Sequence, residues 1–453
     1  MPTITETRSL ITASPSDKKL RMELANAFAK DGKHKAAELI RVQCILNRDT
    51  NTVEKQISLK KMEAALLKEP EVKEQLAGLL GTIGMVTMVD GLPKALETRS
   101  SALLTNMAAL GTSTIDQLSV FVEQPDDVKA ILENPLMQKI TTFNVDFDHH
   151  DKFDVIHSPN LVNVKTLGIT HTGPHNGCLP ALFRPGLCDS MPNLTALSIE
   201  LLPYADNFYV EGVLGMICAS SIMPKLEALR ILHQIRDADI IKFRDTAAST
   251  TPLRTKKLKY LSISRANITT AAYPSLTGPH LENMESLRID GTAIQDSSLL
   301  TLLSNCSQNM KHLCVNSVST ALTAFFVRQR ISAKLQTLII FSSSMVDSVV
   351  EVMANNVSLK TLKTLGLYAA NITKAAVVKI ATSPNFENLE QLAIYSDSIE
   401  NREEAIRILS TMPKLKKLMV NEIPQPLAAR EPDSIHTAND YGLWYDIMAK
   451  RYF

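Results

Sequence analysis

An apolar signature, L-x-x-L-x-L with apolar substitution allowed at the leucine positions, occurs twelve times in this chain. The copies begin at Ile115, Ile140, Val164, Leu194, Leu226, Leu258, Met284, Met310, Leu335, Leu362, Leu389 and Leu415. Successive starts lie 24 to 32 residues apart, and the last six intervals are all 25 to 27. A unit of that length cannot bury its apolar face alone, whereas stacked neighbours share a continuous core. The period therefore restricts the chain to a stack of similar units.

One copy shows what each unit contains. In "LKTLGLYAANITKAAVVKIATSP", residues 362–384, Leu365 and Leu367 alternate around Gly366, which is the period of a strand with its leucines turned inward. Leu362 approaches from the preceding bend, Asn371 suits a turn, and Ile372 returns to the core. The stretch after Thr373, a fitting N-cap, has helical spacing and stops at Pro384. The same order recurs in "LSISRANITTAAYPSL" and "LRIDGTAIQDSSLLTLLSNC", with helix-ending prolines at Pro159, Pro192, Pro224 and Pro413. On this signature and period, residues 110 to 421 resemble the leucine-rich repeat family. The resemblance implies an α/β solenoid with parallel strands on a concave side and helices on a convex side. Its inward aliphatics, from Leu197 and Ile199 through Leu365 and Leu367 to Leu418, are expected to be buried.

A solenoid needs closed ends. Residues 1–80 read as a helical N-terminal cap, 81–421 as the solenoid, and 422–453 as a C-terminal cap or tail. Within the first segment, Ser16 or Asp17 starts a helix, Asp31-Gly32 breaks it, and "KHKAAELIRVQCIL" continues with Leu39 and Val42 on an apolar stripe. Pro15, Asp17, Arg21, Leu24, Ala25, Gly32 and the run from Ala37 to Cys44 resemble a short bacterial repeat-companion domain found ahead of leucine-rich repeats. The family's Asp-Trp pair is replaced here by Asn26-Ala27. "GMVTMVDGLP" reads as a strand leading into the first repeat. The final stretch sets Leu443, Trp444, Ile447, Met448, Tyr452 and Phe453 among polar residues, a pattern suited to closing the last repeat.

Composition narrows the function. With 48 basic and 47 acidic residues the net charge is +1, so no global pull toward nucleic acid or an anionic membrane is expected. Six cysteines form no C-x-x-C pair, which fits free thiols and a cytoplasmic setting. No apolar run reaches the length of a membrane span. No phosphate-binding loop, dinucleotide fingerprint or H-E-x-x-H occurs, so no cofactor is expected and the chain reads as non-enzymatic. The competing chemical reading is a metal-dependent enzyme built on His149, His150, His157, His171 and His175 with Asp146, Asp148 and Asp151, because imidazole and carboxylate suit a divalent ion. A structural subunit of a larger assembly is a third reading.

Recognition of a protein partner is the reading the repeats favour. In each strand the residue between the two inward aliphatics, and the one after them, point to the other face. From the ninth repeat onward these columns hold Ile339 and Phe341, Gly366 and Tyr368, Ala393 and Tyr395, then Met419. Aromatics are only 5% of the chain, so three in register mark Ile339, Phe341, Tyr368, Tyr395 and Met419 as the candidate partner-binding patch. The middle repeats place Arg230, Ser262, Arg288, Glu200, Ser264 and Asp290 there instead, which predicts a polar surface.

Overall fold

The computed structural model describes residues 3–13, 17–46, 53–77, 80–89, 92–111, 113–147, 158–171, 190–201, 213–248, 255–269, 271–276, 281–294, 309–317, 334–342 and 345–421. The chain forms two compact units: residues 1–182 with 186–193, and residues 183–185 with 194–453.

The first unit opens with helices Ile4–Ala13, Lys18–Lys30, His34–Leu46, Val53–Lys68 and Pro70–Ala77. Asp17 caps the second of these, its Oδ1 accepting the Lys19 N–H at 2.8 Å. Gly32 ends that helix's turn at φ 77°, a left-handed conformation that glycine adopts without steric cost. The resulting hairpin buries Leu24, Phe28, Leu39 and Val42. These helices share a core with Leu92, the first residue of the sheet's second strand, so the helical segment is anchored on the start of the sheet.

Strands β1 (Gly84–Val89), β2 (Leu92–Arg99), β3 (Gln117–Val122), β4 (Thr142–Phe147) and β5 (Thr166–His171) follow. β2 through β5 pair in parallel, and β1 folds back antiparallel on β2. The edge of the parallel array is thus covered by a hairpin, a common way to blunt an exposed strand. β2 is a repeat strand that the apolar signature does not detect. Its Leu96 and Thr98 pair with Leu118 and Val120, which puts Pro93 and Thr98 where aliphatics are expected. Thr98 is buried, and its hydroxyl donates to the Ile83 carbonyl at 2.6 Å, so a polar side chain is tolerated in the core.

The second unit carries β6 (Ala196–Leu201), β7 (Ala228–Arg236), β8 (Tyr260–Asn267), β9 (Ser286–Ile294), β10 (His312–Ser317), β11 (Thr337–Phe341), β12 (Thr364–Ala370), β13 (Gln391–Ser396) and β14 (Lys417–Val420). All successive pairs among them are parallel. The inward aliphatics named above are buried as expected, with Leu365 and Leu367 at 0% exposure. Leu418 differs: it is only half-buried, because β14 is the last described strand and lacks a described neighbour beyond it. Helices Asp347–Asn355, Lys374–Thr382 and Arg402–Leu409 bury Val349, Val350 and Met353, then Val377 and Ile380, then Ala405 and Leu409. Parallel strands alternating with helices, in register over a period in the twenties, make this an α/β leucine-rich repeat fold.

Polar contacts lock each repeat to the one before. The Lys311 and His312 N–H groups both donate to the Glu285 carbonyl, at 2.8 and 3.0 Å. The same doubled contact runs from Gln336 and Thr337 to Lys311, from Lys363 and Thr364 to Gln336, and from Lys416 and Lys417 to Glu390. Two of the prolines at the helix ends, Pro159 and Pro384, belong to a second clip. In Ser158-Pro159-Asn160 and Ser383-Pro384-Asn385, the serine hydroxyl and asparagine amide both donate to one carbonyl of the preceding repeat, Leu132 or Ala354. A column of mostly charged residues sits just after the first aliphatic of each repeat from β7 to β14. It reads Glu227, Lys259, Glu285, Lys311, Gln336, Lys363, Glu390, Lys416, an alternation of sign broken only at Gln336. Lys259 reaches Glu227 at 3.0 Å, Lys311 reaches Glu285 at 2.8 Å, and Glu390 lies 2.8 Å from Lys416 and 3.5 Å from Lys363. These partly exposed pairs are each worth little in stability. Their value is that they oppose any slip in which like charges would meet.

Leu365→Ala removes a fully buried side chain between sheet and helices, and is expected to lower stability by about 2–5 kcal/mol. A urea titration followed by far-ultraviolet circular dichroism reads this loss, and an unchanged midpoint would contradict the core assignment.

Candidate functional site

On the sheet face turned away from the aliphatic core, parallel pairing superposes equivalent residues. Ile339 pairs with Gly366, Gly366 with Ala393, and Ala393 with Met419, so the expected floor is one continuous column. Ile339 and Ala393 are buried at 0% and 1% exposure. Phe341 pairs with Tyr368, and their rings stack with centroids 4.8 Å apart and planes 16° from parallel. That spacing is the distance between adjacent strands, which is why identical positions on neighbouring repeats stack so readily.

The third aromatic departs from the ladder. After Leu367 the register of β12 shifts against β13, with Ala370 opposite Ser396. Tyr395 falls inside this irregularity, so the regular pairing that stacks Phe341 on Tyr368 is not continued from Tyr368 to Tyr395. Tyr395 and Met419 pack against the same apolar cluster and are only partly buried. Of the five patch residues, then, Ile339, Phe341 and Tyr368 form a buried base, and Tyr395 and Met419 form its partly buried margin.

Gly366 explains how the base is so compact. A Cβ at this position would lie 2.9 Å from Cε2 of Tyr368 and 3.2 Å from a side-chain carbon of Ile339. The missing side chain lets the Tyr368 ring lie down across the neighbouring column. Asn144 and Gly168 repeat the device in the first unit, where a Cβ on Gly168 would lie 2.2 Å from the Asn144 side-chain oxygen.

Pairing also reveals a third column that sequence reasoning missed, one residue before the inward aliphatics. Ala196, Ala228, Tyr260, Ser286, His312 and Thr337 occupy it, and all six are buried. His312 Nδ1 lies 2.9 Å from the Thr337 hydroxyl, a buried contact between adjacent repeats. Strand alternation was sufficient to find this column, since a residue two positions back shares the same face. The expected polar stretch is broken by Leu232, which pairs with Glu200 and is 6% exposed. Ser262 and Arg288 are buried, whereas Arg230 is half-buried and lies 3.9 Å from Glu200. The side chains of Ser264 and Asp290 lie outside the described residues.

Of the histidine–aspartate cluster, Asp146 lies in β4 and the backbone of His171 in β5; Asp148, His149, His150, Asp151, His157 and His175 lie outside the described residues. Among the described residues, no group of three or more His, Cys, Asp or Glu is placed to hold a metal ion. Cys44, Cys218 and Cys314 are buried thiols outside any disulfide. No described helix is long and apolar enough to cross a membrane.

Gly366→Ala is expected to force the Tyr368 and Ile339 side chains apart and to cost about 1–3 kcal/mol. Near-ultraviolet circular dichroism should report the altered tyrosine packing alongside a lowered melting point, and a variant indistinguishable from the parent would refute the close approach.

No protein-family model matches this sequence, and no curated protein matches it. Among solved structures the chain is similar to an internalin from Listeria monocytogenes, at 14% identity, covering 84% of this chain and 94% of that one, with a TM-score of 0.37. It is similar to a chain of the yeast Rad7–Elc1 complex, at 16% identity, covering 70% and 74%, with a TM-score of 0.44. It is also similar to a chain of the Toll–Spatzle complex from Drosophila, at 12% identity, covering 80% and 48%, with a TM-score of 0.32. At TM-scores this low the fold assignment rests on the strand ladder of this chain itself.

Proposed function

We propose that this chain is a non-catalytic scaffold that receives a protein partner on the sheet face of β11 to β14. The observation that supports this is the apolar column Ile339–Gly366–Ala393–Met419, flanked by Phe341, Tyr368 and Tyr395, at one end of the second unit's sheet. A rigid base of packed rings with partly exposed Tyr395 and Met419 at its margin is the arrangement of an interface hot spot: preordered, apolar and edged by a tyrosine hydroxyl able to bond a partner. Placing the photo-crosslinking residue p-benzoylphenylalanine at Tyr395 should give covalent adducts in native lysate, and at the exposed helix position Lys379 should give none. Against a partner so identified, Tyr395→Ala is expected to weaken binding about thirtyfold, the effect of one hot spot of roughly 2 kcal/mol. Adducts from Lys379 alone would move the interface to the helices.

A second reading places residues 422–453 of this same chain on that face as an intramolecular cover. One feature of the sequence favours it: Leu443, Trp444, Ile447, Met448, Tyr452 and Phe453 give that segment, which lies outside the described residues, apolar side chains suited to such a face. Trp444 is the single tryptophan, so its fluorescence in the intact protein reports on this segment alone. Shielding from acrylamide that is lost in Ala393→Arg supports the cover; a quencher-accessible Trp444 removes it.

A further inference from the structure

The alternating column of Glu227, Lys259, Glu285, Lys311, Gln336, Lys363, Glu390 and Lys416 lacks an acid at one position only, Gln336. There the two flanking lysines have their carboxylates on the far sides: Lys311 pairs with Glu285 at 2.8 Å and Lys363 with Glu390 at 3.5 Å. A groove of about 600 Å³ opens at this gap. Among the described residues its walls carry Lys311, Lys334, Lys360, Lys363 and Lys414 against one acid, Glu390. Lys334 donates to the Asn309 side-chain oxygen at 3.2 Å, and Lys414 to that of Asn388 at 2.5 Å. The neutral Asn388 amide holds the Lys414 ammonium in place without cancelling its charge. The hydrogen bond from Lys416, followed by the proximity of Lys363, keeps the Glu390 carboxyl below the ordinary carboxylate range, so the single acid is already engaged by its neighbours. In a chain of net charge +1, such a local surplus is a concentrated positive field.

We propose that this groove binds an acidic segment of a protein, with its carboxylates set into the gap at Gln336. Lysines supply point charges without the bidentate fork that arginine offers to phosphate, which suits the scattered carboxylates of a peptide. Gln336, Thr361 and Asn388 line the same groove with amide and hydroxyl groups able to bond a peptide backbone. The groove crosses repeats from β10 to β14, four strand spacings or roughly 19 Å, which an extended peptide of about six residues spans. The inference extends the reading of the chain as a protein-binding scaffold but uses a surface distinct from the aromatic face.

Fluorescence anisotropy of a labelled hexaglutamate peptide against the full chain tests it. Binding is expected at low salt and should weaken steeply as salt is added. Gln336→Glu restores the alternation, so it should keep or raise the melting temperature while weakening the peptide about tenfold. The exposed Lys360→Gln is expected to weaken binding with no effect on the fold. Equal binding by Gln336→Glu and the parent would overturn the site, as would tighter binding of a uridine hexanucleotide than of hexaglutamate. Loss of crosslinks at Tyr395 would leave this result untouched, so failure of either surface is read separately.

Discussion

Each repeat presents one backbone carbonyl that accepts two N–H groups from the next, as Lys311 does for Gln336 and Thr337. This doubled contact comes just before the strand, so it sets the register before any side chain is placed. With the register fixed, the inward leucines of successive repeats fall on one another, and so do the residues on the opposite face. Core and surface are consequences of the same backbone ladder. That coupling makes the sheet face informative: a residue type repeated at one offset becomes a stripe in space.

The aromatic base shows how a small residue decides the character of such a stripe. Gly366 leaves room for Tyr368 to lie across its column and stack on Phe341, and the register shift after Leu367 interrupts the regular pairing at Tyr395. A glycine and a register shift, neither of them apolar features, accompany the division of three equivalent positions into a buried pair and a partly buried third ring.

Much of this architecture was legible because leucine spacing and strand alternation are local rules. The twelve signatures correspond to β3 through β14, and Asp17 with Asp31-Gly32 marked the ends of a helix correctly. β2 escaped because Pro93 and Thr98 stand where aliphatics belong, and Thr98 is made acceptable only by a hydrogen bond to Ile83 that no spacing rule foresees. The register shift after Leu367 was equally hidden, since it arises from how two strands meet. The column of Ser286, His312 and Thr337 is different. Its position followed from alternation, but its burial depends on what packs over the face.

The alternating charges have a consequence for how such a chain can change length. Copying any one repeat of the stretch from Glu227 to Lys416, that of Gln336 excepted, would set two acids or two lysines side by side in the column. Copying two adjacent repeats would preserve the alternation throughout. The inheritable unit of growth is therefore the pair, of roughly 52 residues in this chain's later repeats, although the unit of folding is the single repeat. A column of weak surface ion pairs would in this way act less as a source of stability than as a parity check on gene duplication.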